Sequence, residues 1–354
     1  MKKKLFALLL LAALLLTLTG CPLLGTPTET TPPVSDGASF AVHFIDVGQA
    51  DCALIECGGE YMVVDGGNVE DSSLVVSYLQ QQGVEELAAV VCSHAHEDHV
   101  GGLPGVLAVF PTQAVYAPTK TYSSKCFDDF VYYTDQQGLE ITIPAPGDKW
   151  NLGEATVTVL GPIKTYADTN DTSIVLMIQF GATRFLFTGD METGAENDML
   201  DHWGEGFNWH ADVLKVGHHG SDTSTGYRFL NEVMPTYGII SVGEGNTYGH
   251  PCEVPLSRLN DAGVTLYRTD ELGHVIAISD GTTVTIRWED SSGTPISPDI
   301  DGTLPSTQYI GNKNSLKLHL PGCSSLPKEE NQVIFESYDE AIAAGYSPCS
   351  RCLG

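Results

Sequence analysis

Apolar residues along most of this chain fall in short runs broken by polar turns, the pattern of strands buried in a core. Phe40–Ile45 is such a run, followed by a polar turn from Asp46 to Asp51 and a return run, Cys52–Cys57. Tyr61–Val64 leads into Asp65 and the pair Gly66-Gly67. Ala88–Cys92 predicts another buried strand, and Val100-Gly101-Gly102-Leu103 reads as the opening of a helix. Ser173–Phe180 and Thr183–Thr188, joined by Gly181-Ala182, predict a hairpin ending in Gly189-Asp190. Asp212–Gly217 predicts a strand that delivers His218-His219-Gly220-Ser221. Near the C-terminus, Tyr338–Gly345 reads as a short helix closed by glycine.

The ends follow a different pattern. Met1-Lys2-Lys3-Lys4 precedes a Leu/Ala-rich run, Leu5–Leu18, which reads as a secretory signal too short to span a bilayer comfortably. Leu18-Thr19-Gly20-Cys21 resembles a bacterial lipobox. That likeness implies removal of residues 1–20, acylation of Cys21, and an extracytoplasmic protein anchored by lipid to the bacterial cell membrane. Residues 21–38, rich in Pro and Thr, read as an extended tether. The body then runs from 39 to 290, long enough for one large domain, and a linker at 291–306 separates it from a module at 307–354.

The run His94-Ala95-His96-Glu97-Asp98-His99 adds chemistry to the pattern. Alternate side chains of an extended segment share a face, so His94 and His96 can grip one cation. The turn at Asp98-His99 aims a carboxylate and a further imidazole at a neighbouring position. Such donors suit Zn, Mn or Fe rather than Ca or Mg alone. Asp190, at a strand end after glycine, is placed to bridge two cations. His218 and His219, being adjacent, are expected to point in different directions, so that only one binds metal.

The pattern HxHxDH, placed strand–loop–helix, resembles the signature of the metallo-β-lactamase superfamily. The resemblance implies an α+β fold, an αββα sandwich with its metals along the edge where two sheets meet. The first cation would take His94, His96 and Asp190; the second would take Asp98, His99, Asp190 and His218. His219 would then face substrate or a supporting contact. Many relatives carry a third histidine for the first cation before the hairpin, but Asp168–Ser173 has none. Asn170 or Asp171 would substitute through oxygen, which favours Mn. Asp65 could hydrogen-bond the far nitrogen of a ligating histidine. Asp46, Gln49, Asp51, Ser173 and Ser221 would support ligands or touch substrate, with ordinary turn chemistry as the alternative.

A series of six ordered motifs narrows the likeness. FIDVGQAD, HxHxDH, NDTSIVL, FTGD, LKVGHHGS and NTYGHP resemble the periplasm-facing nuclease domain of ComEC-type competence proteins, over nearly all of residues 40 to 289. The resemblance implies a DNase using two divalent ions, Zn or Mn, to activate the hydroxide that attacks phosphate. Asp98 would orient that hydroxide, and His250 or His219 would assist the leaving oxygen. Asn246 and Tyr248 would flank the site, and a role in uptake would require a separate DNA channel as partner. A cell-wall phosphodiesterase acting on phosphorylcholine or teichoic acid esters, or a non-catalytic DNA-capturing lipoprotein, are the alternatives. The formal net charge of −28 argues against a broad basic face for DNA, so binding should be weak and salt-sensitive.

The tail supplies His319, Cys323, Cys349 and Cys352 as H-x3-C and C-x2-C, a set suited to one structural zinc. It resembles the Ada-type metal-binding domain, with His319 where that domain usually has cysteine. With Cys21 assigned to lipid, the other five of the nine cysteines are expected to be unpaired thiols.

Overall fold

Alternation along each strand sorts side chains between two faces, and most strands bury both. The computed structural model describes residues 39–290, 309–319, 326–335, 341–342 and 344–349. The signal segment, Cys21, the tether, the linker, Cys323, Cys352 and half of the expected 338–345 helix lie outside them. One sheet is built from β1 (Phe40–Phe44), β2 (Cys52–Cys57), β3 (Glu60–Gly66), β4 (Ala89–Val91), β5 (Val115–Tyr116) and β6 (Ile141–Thr142). The second contains β7 (Lys149–Leu152), β8 (Ala155–Gly161), β9 (Val175–Phe180), β10 (Thr183–Phe187), β11 (Val213–Lys215), β12 (Tyr237–Ile240) and β13 (Thr265–Arg268). The chain then returns to the first sheet as β14 (His274–Ser279) and β15 (Val284–Glu289), giving the order β15-β14-β1-β2-β3-β4-β5-β6.

The sheets pack face to face. Phe40, Phe44, Ile55 and Val64 of one meet Ile178, Phe180, Phe185 and Phe187 of the other in a single apolar cluster. Phe40 stacks on Phe180 at 5.4 Å between ring centroids and Phe44 on Phe187 at 5.7 Å, so aromatic pairs bridge the layers. The intervening residues point outward. Leu54, Val63 and Val90 pack on helices Ser72–Gln81, Leu103–Val109 and Lys125–Gln136. Leu186 and Leu214 pack on helices Thr193–Trp203 and Tyr227–Val233. The result is an αββα sandwich, and its doubly buried strands explain the nearly continuous apolar runs of the sequence.

Two boundaries differ from the sequence reading. Helix Glu97–Val100 begins inside the histidine run rather than after it, with Glu97 and Asp98 in its acidic first turn. The first hairpin strand starts at Val175, because Asn170–Thr172 forms a tight turn whose Asn170 carbonyl accepts from Ser173 Oγ at 2.7 Å. A further sheet of four short strands orders Gln332–Phe335, Tyr309–Asn312, Lys317–His319 and Ser347–Pro348. Cys52, Cys57, Cys92, Cys126 and Cys252 are free thiols, the first four buried.

Parallel pairing positions the site. β3 and β4 run parallel, as do β10, β11 and β12. Their C-terminal ends therefore release Asp65, the 93–99 loop, Asp190, the 217–221 turn and the loop after Ile240 along one edge. Glycine permits the close approach there: a Cβ on Gly102 would run into the Gly66 carbonyl.

On the outer face of β1, His43 Nδ1 meets Tyr78 Oη at 2.8 Å. Burial, then the nearby His274, lowers the His43 imidazole from 6.5 to about 4. The unfolded chain thus binds this proton more readily, and stability is lost as pH falls from about 6.5 towards 4. The whole effect is at most about 3 kcal/mol. Urea midpoints should therefore fall between pH 7.5 and 5 more steeply for the parent than for His43→Gln, which lacks the titrating ring; equal slopes would assign the acid sensitivity elsewhere.

Candidate metal centre

Asp190 is the hub. Its Oδ2 lies 3.3 Å from His99 Nε2, 3.6 Å from His219 Nε2, 3.7 Å from His218 Nε2 and 3.9 Å from His94 Nε2. Gly189, with φ of 51°, turns the chain off β10 and has no room for a side chain beside Ser173 and Ser93. Ser173 Oγ accepts from the Asp190 amide at 3.0 Å, which fixes the carboxylate's backbone. His94 and His96 share the adjoining corner, with His94 Nε2 3.0 Å from His96 Nδ1.

Asp98, His99, Asp190 and His219 each offer a ligand atom within 4.8 Å of the others. This corrects the sequence reading, which gave that corner to His218 and turned His219 away. The cause is the backbone: His218 and His219 both adopt left-handed conformations, with φ of 52°. Two successive left-handed residues abandon strand alternation, so both imidazoles face Asp190. His218, on the other side, is 3.5 Å from Asn170 Nδ2, and its Nδ1 is 3.2 Å from Thr223 Oγ1. Such backbone costs on the order of 1–3 kcal/mol per residue and is typical of functional sites.

Behind the imidazoles stands a row of carboxylates. Asp65 Oδ2 lies 2.9 Å from His99 Nδ1, and Asp65 Oδ1 accepts from the Ser93 amide at 2.6 Å. Asp51 Oδ1 lies 3.2 Å from His219 Nδ1, whose other neighbour is the Ser241 carbonyl at 3.0 Å. Asp51 Oδ2 is in turn paired with the buried Lys215 at 2.8 Å. Lys215 was not singled out from the sequence. A lysine inside the apolar run Val213–Val216 is the signal that could have found it, since lysine is seldom buried unpaired.

Other sequence candidates act elsewhere. Asp46 accepts from the Gly48 amide at 3.1 Å and its own amide bonds His274 Nδ1, so it organises the 46–51 turn away from the cluster. Asp171 accepts from the Glu192 amide at 3.0 Å, leaving only Asn170 of that pair on the cleft. Ser221 bonds Thr223 and shapes the histidine turn. Asn246 is a turn organiser, accepting from the amides of Tyr248 and His250 and donating to the His250 carbonyl. Gln49, Tyr248 and His250 do line the cleft, with Gln49 Nε2 3.4 Å from His250 Nδ1. The cleft, about 370 Å³, is walled by these three with His96, Glu97, Asp98, Asn170, Asp190, His218 and His219.

Its electrostatics are those of a cation site. Burial opposes protonation of His219, but Asp190 and Asp51 outweigh it and lift the imidazole to about 10. His99 is likewise raised despite burial, by Asp190, Asp65 and Asp98. Burial would raise Asp190, yet His99 and His219 hold it well below the carboxylate range. Asp51 is pulled to about 2, against burial, by Lys215 and then His219. Protein atoms alone thus balance the acids by charging imidazoles, while His99 Nε2, His219 Nε2, Asp190 Oδ1 and Asn170 Oδ1 are buried without hydrogen-bond partners. Orphaned donors and acceptors aimed into one cleft fit divalent cations, which would displace the protons.

In the tail, His319 and Cys349 are buried, and the Cys349 amide donates to Leu318 O at 2.9 Å, bringing both to one end of a parallel strand pair.

Residues 45–244, over half of the chain, match the family model of the metallo-beta-lactamase superfamily, and residues 303–353 match the metal binding domain of Ada. The chain belongs to the metallo-β-lactamase superfamily. Its similarity extends to ComE operon protein 3 of Bacillus subtilis, 28% identical over 66% of this chain, and to competence protein ComA of Neisseria gonorrhoeae, 30% identical over 66%. The matched part is about a third of each relative, 32% and 31% of their lengths. The solved metallo-beta-lactamase fold protein YhfI from Bacillus subtilis aligns with a TM-score of 0.49 and 14% identity, covering 68% of this chain and all of that one.

The contrast between two aspartates tests this geometry. Asp65→Ala should weaken metal affinity about 10- to 100-fold in a chelator competition, since it frees His99 to rotate. Asp46→Ala should leave affinity unchanged; equal losses would mean the 46–51 turn supports the cations directly.

Proposed function

We propose that this chain is an extracytoplasmic, lipid-anchored, metal-dependent phosphodiesterase whose substrate is DNA. The reading rests on one observation: four imidazole Nε2 atoms ring Asp190 Oδ2 at the floor of an open polar cleft. His94, His96, Asp190 and His218 would hold one divalent ion, and Asp98, His99, Asp190 and His219 a second. Bound there, the ions would supply an activated water and neutralise charge building on the phosphate. Competence relatives support a nucleic-acid substrate, and the basic, Leu-rich start with its Leu18-Thr19-Gly20-Cys21 element supports export and anchoring.

The protein's own groups orient the reaction. Asp98, 3.4 Å from His219 Nε2, takes the proton of the attacking water. Lys215 keeps Asp51 ionised, and Asp51 fixes the His219 ring. His250, held by Gln49 and stacked beside His219, would assist the departing oxygen. With so acidic a chain, affinity comes from the site rather than from a surrounding basic surface.

The test is hydrolysis by the purified chain of linear, circular and single-stranded DNA with Mn or Zn, beside a bis-aryl phosphodiester and a cephalosporin. DNA should be cut, and Asp190→Ala and His96→Ala should each lower the rate at least about 100-fold. Hydrolysis of the aryl ester without DNA would point to a wall phosphodiester, and turnover of the cephalosporin alone would overturn the reading.

A further inference from the structure

One side chain at the mouth of the cleft is out of keeping with its surroundings. Tyr248 is 72% exposed, yet its loop is tightly made. Asn246 ties the turn together through the amides of residues 248 and 250 and the carbonyls of 243 and 250. Gln49 Oε1 accepts from the Gly243 amide at 3.2 Å and so fastens the base of the loop to the first sheet's turn. A rigid turn therefore presents a large ring to solvent.

The ring continues a ladder that starts at the metal ligands. His219 and His250 lie nearly parallel, 6.5 Å apart with planes at 20°. His250 and Tyr248 repeat the arrangement at 5.7 Å and 27°. Tyr248 is thus the outer rung, one ring beyond the histidine that would assist the departing oxygen. The opposite wall offers no equivalent: Tyr122 meets His96 edge-on at 74° and packs against Phe127. An aromatic face fixed beside a phosphate-binding floor is the arrangement that stacks an unpaired base.

We infer that Tyr248 stacks the base flanking the scissile phosphate and so gives the enzyme its preference for unpaired strands. The inference rests on the nuclease reading and names the part of the substrate that the site holds besides phosphate. Duplex bases stack on one another and cannot leave the helix without cost, whereas every unpaired base has a free face. Stacking is also the form of binding open to a chain of net charge −28, because it needs no basic groove.

The test compares a single-stranded oligonucleotide with the same backbone carrying an abasic tract, using the full chain loaded with Mn. The parent should favour the base-bearing strand in kcat/KM by about 5- to 150-fold. Tyr248→Ala should collapse that preference towards unity, and Tyr248→Trp should keep it. Equal losses on both strands would overturn the inference, since Tyr248 would then act through His250; so would a parent that cuts both strands equally well. A parent that cuts neither oligonucleotide while hydrolysing another phosphodiester would instead overturn the nuclease reading itself.

Discussion

A buried carboxylate must find positive charge, and the geometry of Asp190 follows from that requirement. Its Oδ2 sits below a roof of four imidazoles contributed by two separated parts of the chain, 94–99 and 218–219. Asp51, Asp65 and Asp98 stand around the same rings, so acids outnumber the fixed cation, Lys215. Charged imidazoles offset this excess in the protein alone, and divalent cations entering the cleft would displace their protons. The two sheets, the parallel strand ends and the glycine contacts at Gly66 and Gly189 exist, in functional terms, to hold that imbalance in place.

Part of the fold is legible in the sequence because β1–β4 and β9–β11 bury most of both faces and read as nearly continuous apolar runs. The strands that the sequence reading leaves unnamed include β7, β8 and β12–β15 as well as the two-residue β5 and β6, which are too short for any periodicity to register. The cluster at 94–99 is equally legible, since its donors lie within one turn of chain. What residue types do not encode is backbone conformation. Adjacent histidines on a regular strand must diverge; with both in the left-handed region they converge. Likewise Asp46 and Asp51 share one polar turn in sequence, and only the turn's path decides that Asp51 meets His219 while Asp46 meets Gly48.

The same turn answers the missing third histidine of the first corner. The stretch before the hairpin contributes only Asn170, but His218 Nε2 comes to 3.7 Å of the bridging carboxylate from across the cleft. In the proposed arrangement one histidine pair would serve both corners. Thr223, behind His218, is carried by a loop whose continuation is pinned by Glu196, which accepts from the Thr225 and Gly226 amides. Burial lifts that carboxyl to about 7, so the anchoring group is a poor acid in a dry place.

The first sheet is completed only when β14 inserts beside β1, more than two hundred residues after it. The donors from residue 94 to residue 219 all precede that strand in the chain. Through His274, whose Nδ1 accepts from the Asp46 amide, that returning strand also braces the turn that carries Asp51.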